Sequence, residues 1–365
     1  MTLSNGLFEM SAASLSAFGI ASMLVVGDVD TSQYIGERAL QMQERLKSEA
    51  GKAKTLLVLH NFVFPHVKPL QSFSKQFLDG YQSGMRTGDK SFAMWALLNN
   101  VVVLYMTGKP LKVIEEQCQT SITQTVELKE EEKASCLRTY WQLSLNLMGS
   151  SNNTVELSGK AMNEKEIVFT PFSHVTFTLV KTIASSLFGR YELGAHLAIE
   201  KGDQQFLMMK GGFMYAPLFW FHRCLCMFAM ARTNKSKERK YMAQAKRIHK
   251  ELTNSLKNKN PNVLHYVSLL NAEKAALKQK KYQEDDVRKL YNDAINMSAR
   301  GGYVHDAALA QERFADFLIC SEGDLQEAKY HLEKAMQRYT DWGAMGVVEH
   351  LHNKYQDILV GSSTK

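Results

Sequence analysis

His305-Asp306-Ala307-Ala308-Leu309-Ala310, followed by Glu322-Gly323-Asp324-Leu325 and then by Tyr339-Thr340-Asp341-Trp342-Gly343-Ala344, reads as two amphipathic helices broken at a Gly-Asp and closed at a second glycine. In the first helix Ala310, Phe314, Phe317 and Leu318 fall on one stripe of a 3.6-residue period. Leu325, Ala328, Leu332, Ala335, Met336 and Tyr339 repeat the stripe in the second. Gly323 suits the left-handed position just past a helix end, because it has no Cβ to clash there. Asp324 can then accept hydrogen bonds from the first amides of the next helix. The small Ala328 and Ala335 allow the two helices to approach closely. An antiparallel helix hairpin follows.

The punctuation recurs at Gly27-Asp28, Gly88-Asp89 and Gly202-Asp203, with Gly108-Lys109 and Gly189-Arg190 as relatives. Spacing between the breaks is irregular, so the array is degenerate rather than a clean repeat. One hairpin cannot bury its apolar face, but hairpins stacked in series bury a continuous core and leave a concave surface for ligands. The expected fold is therefore all-α: a tetratricopeptide-like, right-handed α-solenoid of stacked antiparallel hairpins. It runs as an N-terminal half (1–148), an irregular connection (149–165) and a C-terminal half (166–361). A chain of 365 residues outgrows a single compact core, and six prolines without a Pro/Ser/Gly-rich linker favour one continuous solenoid.

Met10 to Val26 is apolar, yet no Lys or Arg precedes Arg38, so the basic start of a secretory signal is missing. A buried first helix is the expectation. Gly211 to Phe221, which contains Pro217, is too short to span a bilayer and reads as a Pro-kinked middle of the array, so no membrane insertion is expected. Five cysteines, an odd number, argue for reduced thiols and a cytoplasmic setting.

Arg232 to Lys259 holds ten Lys/Arg against two Glu, more positive charge than the +7 of the whole chain. Tyr241, Ala245, Ile248 and Leu252 give it an apolar stripe, hence a helix with a solvated basic face: Arg232, Lys235, Lys237, Arg239, Lys240, Lys246, Arg247 and Lys250. An acidic protein surface suits that face. A nucleic acid suits it less, since only Tyr241 could stack on a base.

Nucleotide-binding, kinase, hydrolase and zinc-protease motifs are all missing, and no catalytic residue or cofactor is expected. His222, Cys224 and Cys226 do not make a metal site, because Cys224 points away from the face the other two share. His305-Asp306 reads as a helix start, with Asp306 in the first turn. Aromatics supply the remaining candidates, a partner-binding groove of Trp141, His174, Phe219, Trp220, His222 and Arg223.

Gly80-Tyr81-Gln82-Ser83-Gly84-Met85-Arg86-Thr87-Gly88-Asp89 carries a Y-x-x-G-x-x-x-G-D turn, and Thr107-Gly108-Lys109-Pro110-Leu111 follows it. With Tyr140-Trp141-Gln142, Asn146-Leu147-Met148-Gly149 and the stretch from Tyr303 through Trp342-Gly343-Ala344 to Lys354-Tyr355, these resemble a helical region of very large signalling ATPases. Those are predicted AAA- or STAND-type ATPases fused to protein kinase, GAF and histidine kinase modules. The likeness covers nearly the whole chain, with Gly346-Val347-Val348 departing where a more basic segment is common. Neither the ATPase nor the kinase segment has a counterpart here, so the resemblance implies no catalytic residue. It implies a regulatory scaffold whose partners are protein modules such as those kinases or ATPases, or an arm of a longer enzyme that couples its sensor input to catalysis.

Overall fold

The computed structural model describes residues 8–200, 212–278 and 283–360, and among these the chain is all-α, without a strand. The first half contains α1 (Ser11–Ala21), α2 (Val29–Leu46), α3 (Lys52–Val58), α4 (Phe73–Thr87), α5 (Lys90–Met106), α6 (Leu111–Glu127) and α7 (Glu131–Leu147). The second contains α8 (Pro171–Leu187), α9 (Tyr191–Glu200), α10 (Ala216–Thr233), α11 (Glu238–Lys257), α12 (Leu264–Ala276) and α13 (Glu284–Arg300). It ends with α14 (Val304–Phe317), α15 (Leu325–Trp342), α16 (Met345–Lys354) and α17 (Gln356–Val360).

Successive helices pack in pairs, and the pairs form two layers. Helices α1, α3, α5, α7, α8, α10, α12 and α14 touch one another in that order as an inner layer, with the remaining long helices outside. Sequence explains the sorting. In α10 fifteen of 18 residues are buried, so it is wrapped on every side. In α11 five of 20 are buried, and these form the single stripe Tyr241, Ala245, Ile248, His249 and Leu252 that an outer helix needs.

The final hairpin is α14 with α15. Ala310, Phe314, Phe317 and Leu318 are buried, as are Ala328, Leu332, Ala335 and Tyr339. Leu325, in the first turn of α15, is 52% exposed and does not join the stripe. The break is built as the pattern implies: a π-helical turn (Leu318–Glu322) ends at Gly323 with φ 68°, and Asp324 accepts a hydrogen bond from the Glu327 amide at 3.0 Å. The first hairpin repeats the device, with π turn Ser22–Val26, Gly27 at φ 74°, and Asp28 accepting from Thr31 at 2.9 Å. Such a cap contributes about 1 kcal/mol. Gly88 and Gly343 are also left-handed, but Asp89 makes no side-chain cap bond. Gly202-Asp203 lies outside the described residues.

Three expectations are corrected. The helix α1 packs through small residues (Ala12, Ala13, Ser16 and Gly19) and leaves Phe18 exposed, as Leu24, Val25 and Val26 are in the π turn after it. Pro217 kinks nothing: it sits in the first turn of α10, where its missing amide costs no hydrogen bond. Nor does the array stay open between its halves: among the described residues they contact each other. Trp342, fully buried, donates its Nε1–H to the Lys109 carbonyl at 3.0 Å. Asn262 donates to the carbonyls of Pro65 and Lys68 at 2.7 and 2.9 Å and accepts from the Leu70 amide at 3.0 Å. Gly346 lies so close to the end of α7 that a Cβ there would stand 2.7 Å from the Asn146 carbonyl oxygen. One apolar core runs from Ala39 to Tyr355.

The stretch 148–170, which contains no helix, lies where an outer helix is due between α7 and α8. Buried Asn146 holds it by donating to the Thr154 and Glu156 carbonyls at 3.1 and 2.9 Å. Gln142 accepts from the Ala161 amide at 3.1 Å, and Thr170 donates to Glu132 at the start of α7. The segment thus runs back along α7 and starts α8 parallel to it.

Candidate functional site

The aromatic candidates do not form a groove. Phe219, His222 and Arg223 are at most 2% exposed inside the inner helix α10, where no partner reaches them. The Arg223 guanidinium lies 5.0 Å over the Phe219 ring and donates to the Ala198 carbonyl at 2.6 Å. Trp141, His174 and Trp220 are half-buried. Trp141 has the Lys160 ammonium 5.8 Å above its ring, His174 packs edge-on to Phe169, and the described ring contacts do not join the three.

The basic surface survives with one correction. Lys235, Lys237, Arg239, Lys240, Lys246, Arg247 and Lys250 are exposed on or just before the outer helix α11. Arg232 instead ends α10 and turns inward, 3.4 Å from the fully buried Glu273 carboxylate. There it joins a buried ionic network. Arg313 grips Glu273 through two bonds of 2.9 and 3.1 Å and also bonds Tyr191 and Asp316, at 2.8 Å each. Tyr291 completes Glu273 at 3.0 Å. Burial pushes the Glu273 pKa up, but Arg313 and Arg232 outweigh it and leave the carboxyl below its usual value. The nearby Glu312 lacks such a partner, and burial raises it to about 7.

A cluster that spacing in the sequence does not announce occupies the centre, where α5, α10, α12, α14 and the end of α15 meet. Asp306 stands in the first turn of α14, as the sequence implies, and is only 3% exposed. Its Oδ2 lies 3.2 Å from His265 Nε2 and 3.4 Å from His305 Nε2, although neither contact is aligned as a hydrogen bond. His265 stacks on Tyr303 at 3.9 Å, and His305 stacks on Trp342 at 4.9 Å. Burial would raise the pKa of Asp306, yet His305, His265 and His222 around it more than offset that. Burial drives His222 down to about 3. Its Nδ1 is 2.5 Å from Ser186 Oγ. A serine, a histidine and an aspartate thus lie close together, but each is at most 3% exposed and no substrate reaches them. Chemically the cluster can hold a carboxylate in the core and clamp α12 to α14. The sequence signal for it was His305-Asp306, which reads locally as a helix start, whereas its partners His222 and His265 lie far from it in the chain.

Among the described residues no group of His, Cys, Asp and Glu could hold a metal ion, and no helix is long and apolar enough to cross a membrane. The described cysteines are all free, with Cys118, Cys136, Cys224 and Cys226 buried and Cys320 exposed. Set against models of protein families and against characterised proteins, the chain matches none.

Proposed function

We propose that this chain is a non-enzymatic helical-repeat scaffold whose hairpins wind in the right-handed sense of tetratricopeptide arrays, and that it binds an acidic segment of a partner protein along α11. The observation that carries the reading is the exposed row of Arg239, Lys240, Lys246 and Lys250 on one 20-residue outer helix, about 30 Å long. The filled interior supports it as well, because binding then falls to the outer surface. The resemblance to signalling ATPases supports a kinase or ATPase module as partner, acting in trans or within one longer polypeptide. The free cysteines support a cytoplasmic setting.

The test is anisotropy titration of a labelled polyglutamate peptide with the wild-type chain and with Arg239→Glu/Lys246→Glu/Lys250→Glu. Affinity falls about tenfold or more in the variant and weakens with salt in the wild type. Equal affinities overturn the reading. Tighter binding of an oligonucleotide than of the peptide transfers the face to nucleic acid.

A further inference from the structure

The row of cations on α11 has an apolar floor beside it. Met242 and Ala243 on α11, with Leu277 just past the end of α12, line one recess of about 280 Å³. Met242 and Leu277 are half-buried and pack against the core, while Ala243 is exposed. Glu238, Arg239, Met242, Ala243 and Lys246 recur at the spacing of a single helical face, next to the buried stripe of Tyr241, Ala245, Ile248 and Leu252. The sequence thus gives α11 two apolar strips. One is covered by the fold, and the other meets Leu277 and stays open.

Charge and size say what occupies it. Arg239 and Lys246 flank the recess on α11 and Lys278 borders it on the α12 side, three cations against the one carboxylate of Glu238. Glu238 is already matched by Lys235 at 3.4 Å. Among the described residues no carboxylate pairs with any of the three cations, so the rim is net positive. The volume falls below the roughly 300–1,000 Å³ of sites that enclose a small molecule, and it suits one apolar side chain. An apolar floor inside a cationic rim matches an apolar side chain with carboxylates on either side of it. Arg239 and Lys246 stand seven residues apart, about 10 Å along the helix axis. An extended chain covers that distance in about three residues, which is the length of an acid–apolar–acid triplet.

We infer that this recess is the specificity pocket of the α11 face, taking one apolar side chain such as leucine from the acidic partner segment while the flanking carboxylates meet Arg239, Lys246 and Lys278. The inference rests on the proposed binding of an acidic segment along α11 and adds what that segment must contain. Acidic residues alone make only exposed, salt-screened contacts with the helix. Burying the apolar side chain supplies a contribution that salt does not remove, and it distinguishes one acidic partner from another.

The experiment compares two labelled peptides on the full chain by anisotropy: polyglutamate, and the same peptide with its central residue replaced by leucine. The expected result is about tenfold tighter binding of the leucine peptide, although it carries one negative charge fewer, and a preference that persists as salt is raised. Ala243→Gln, which fills the recess from an exposed position, removes the preference and leaves the affinity for polyglutamate unchanged. Leu277→Ala also reduces the preference, and circular dichroism checks that both variants stay folded. Lys278→Glu weakens binding of both peptides. Equal binding of the two peptides by the wild type, or a preference that survives both Ala243→Gln and Leu277→Ala, overturns the inference and leaves the reading of α11 standing. Binding of neither peptide overturns both.

Discussion

Burial shifts His222 and Glu312 in opposite directions, and both contribute to how the fold responds to acid. Burial lowers His222 to about 3 and His60 to about 4, against 6.5 for an ordinary imidazole. A histidine with a depressed folded-state pKa stabilises the fold above the unfolded value, and that contribution drains away as the pH falls toward the folded value. Between pH 6.5 and 5 each loses about 2 kcal/mol. Glu312 is raised to about 7 from 4.5, so its contribution is present below 4.5 and lost as pH rises through 7. The two effects oppose each other between pH 5 and 7; below 4.5 the Glu312 contribution no longer changes, and carboxyls held below their usual range, such as Glu273 and Asp306, add to the loss caused by the histidines. Urea midpoints at pH 7 and 5 check this: Glu312→Gln steepens the loss on acidification, and His222→Gln flattens it. Identical pH slopes in the two variants and the wild type would refute the assignment.

Among the elements, α10, α12 and α14 are inner helices that carry charge, and the Glu273–Arg313 pair makes that tolerable. Replacing Glu273 by Ala leaves Arg313 and Arg232 facing an emptied apolar core, a loss of about 3–5 kcal/mol. An exposed pair such as Lys235–Glu238, at 3.4 Å, contributes about 1 kcal/mol at most. Denaturant unfolding of Glu273→Ala and Glu238→Ala should separate the two cases clearly, and equal small losses would mean that water enters the network. Legibility followed the same division. The stripes of α11 and α15 were readable because half-exposed helices show a period, and the twin breaks at Gly27 and Gly323 were readable because turn chemistry is local. The inner helices show no such period. Arg232 therefore looked like one more surface cation, and Phe219, His222 and Arg223 looked like a ligand face.

At the scale of the whole molecule the halves share one core, through contacts such as Trp342 with Lys109 and Asn262 with Pro65 that link positions far apart in sequence. Pairings of that separation leave no local pattern, and for that reason the closed interior, and the Asp306 cluster within it, were not legible. The closure also predicts a proteolysis result. A protease that nicks the exposed part of 148–170, where Val168 is 90% exposed, should give two fragments that stay together through gel filtration. Fragments that separate would mean independent halves.

That same segment has a further consequence. It replaces a helix only as a return path: α7 covers 17 residues, about 25 Å at 1.5 Å each, and a fully extended chain crosses that distance with about eight residues. The 23 residues of 148–170 are nearly three times that number. The inner layer is thus continuous across a place where the outer layer is a surplus of irregular chain, tied down at intervals by Asn146, Gln142 and Glu132 and by Leu157 buried in the core.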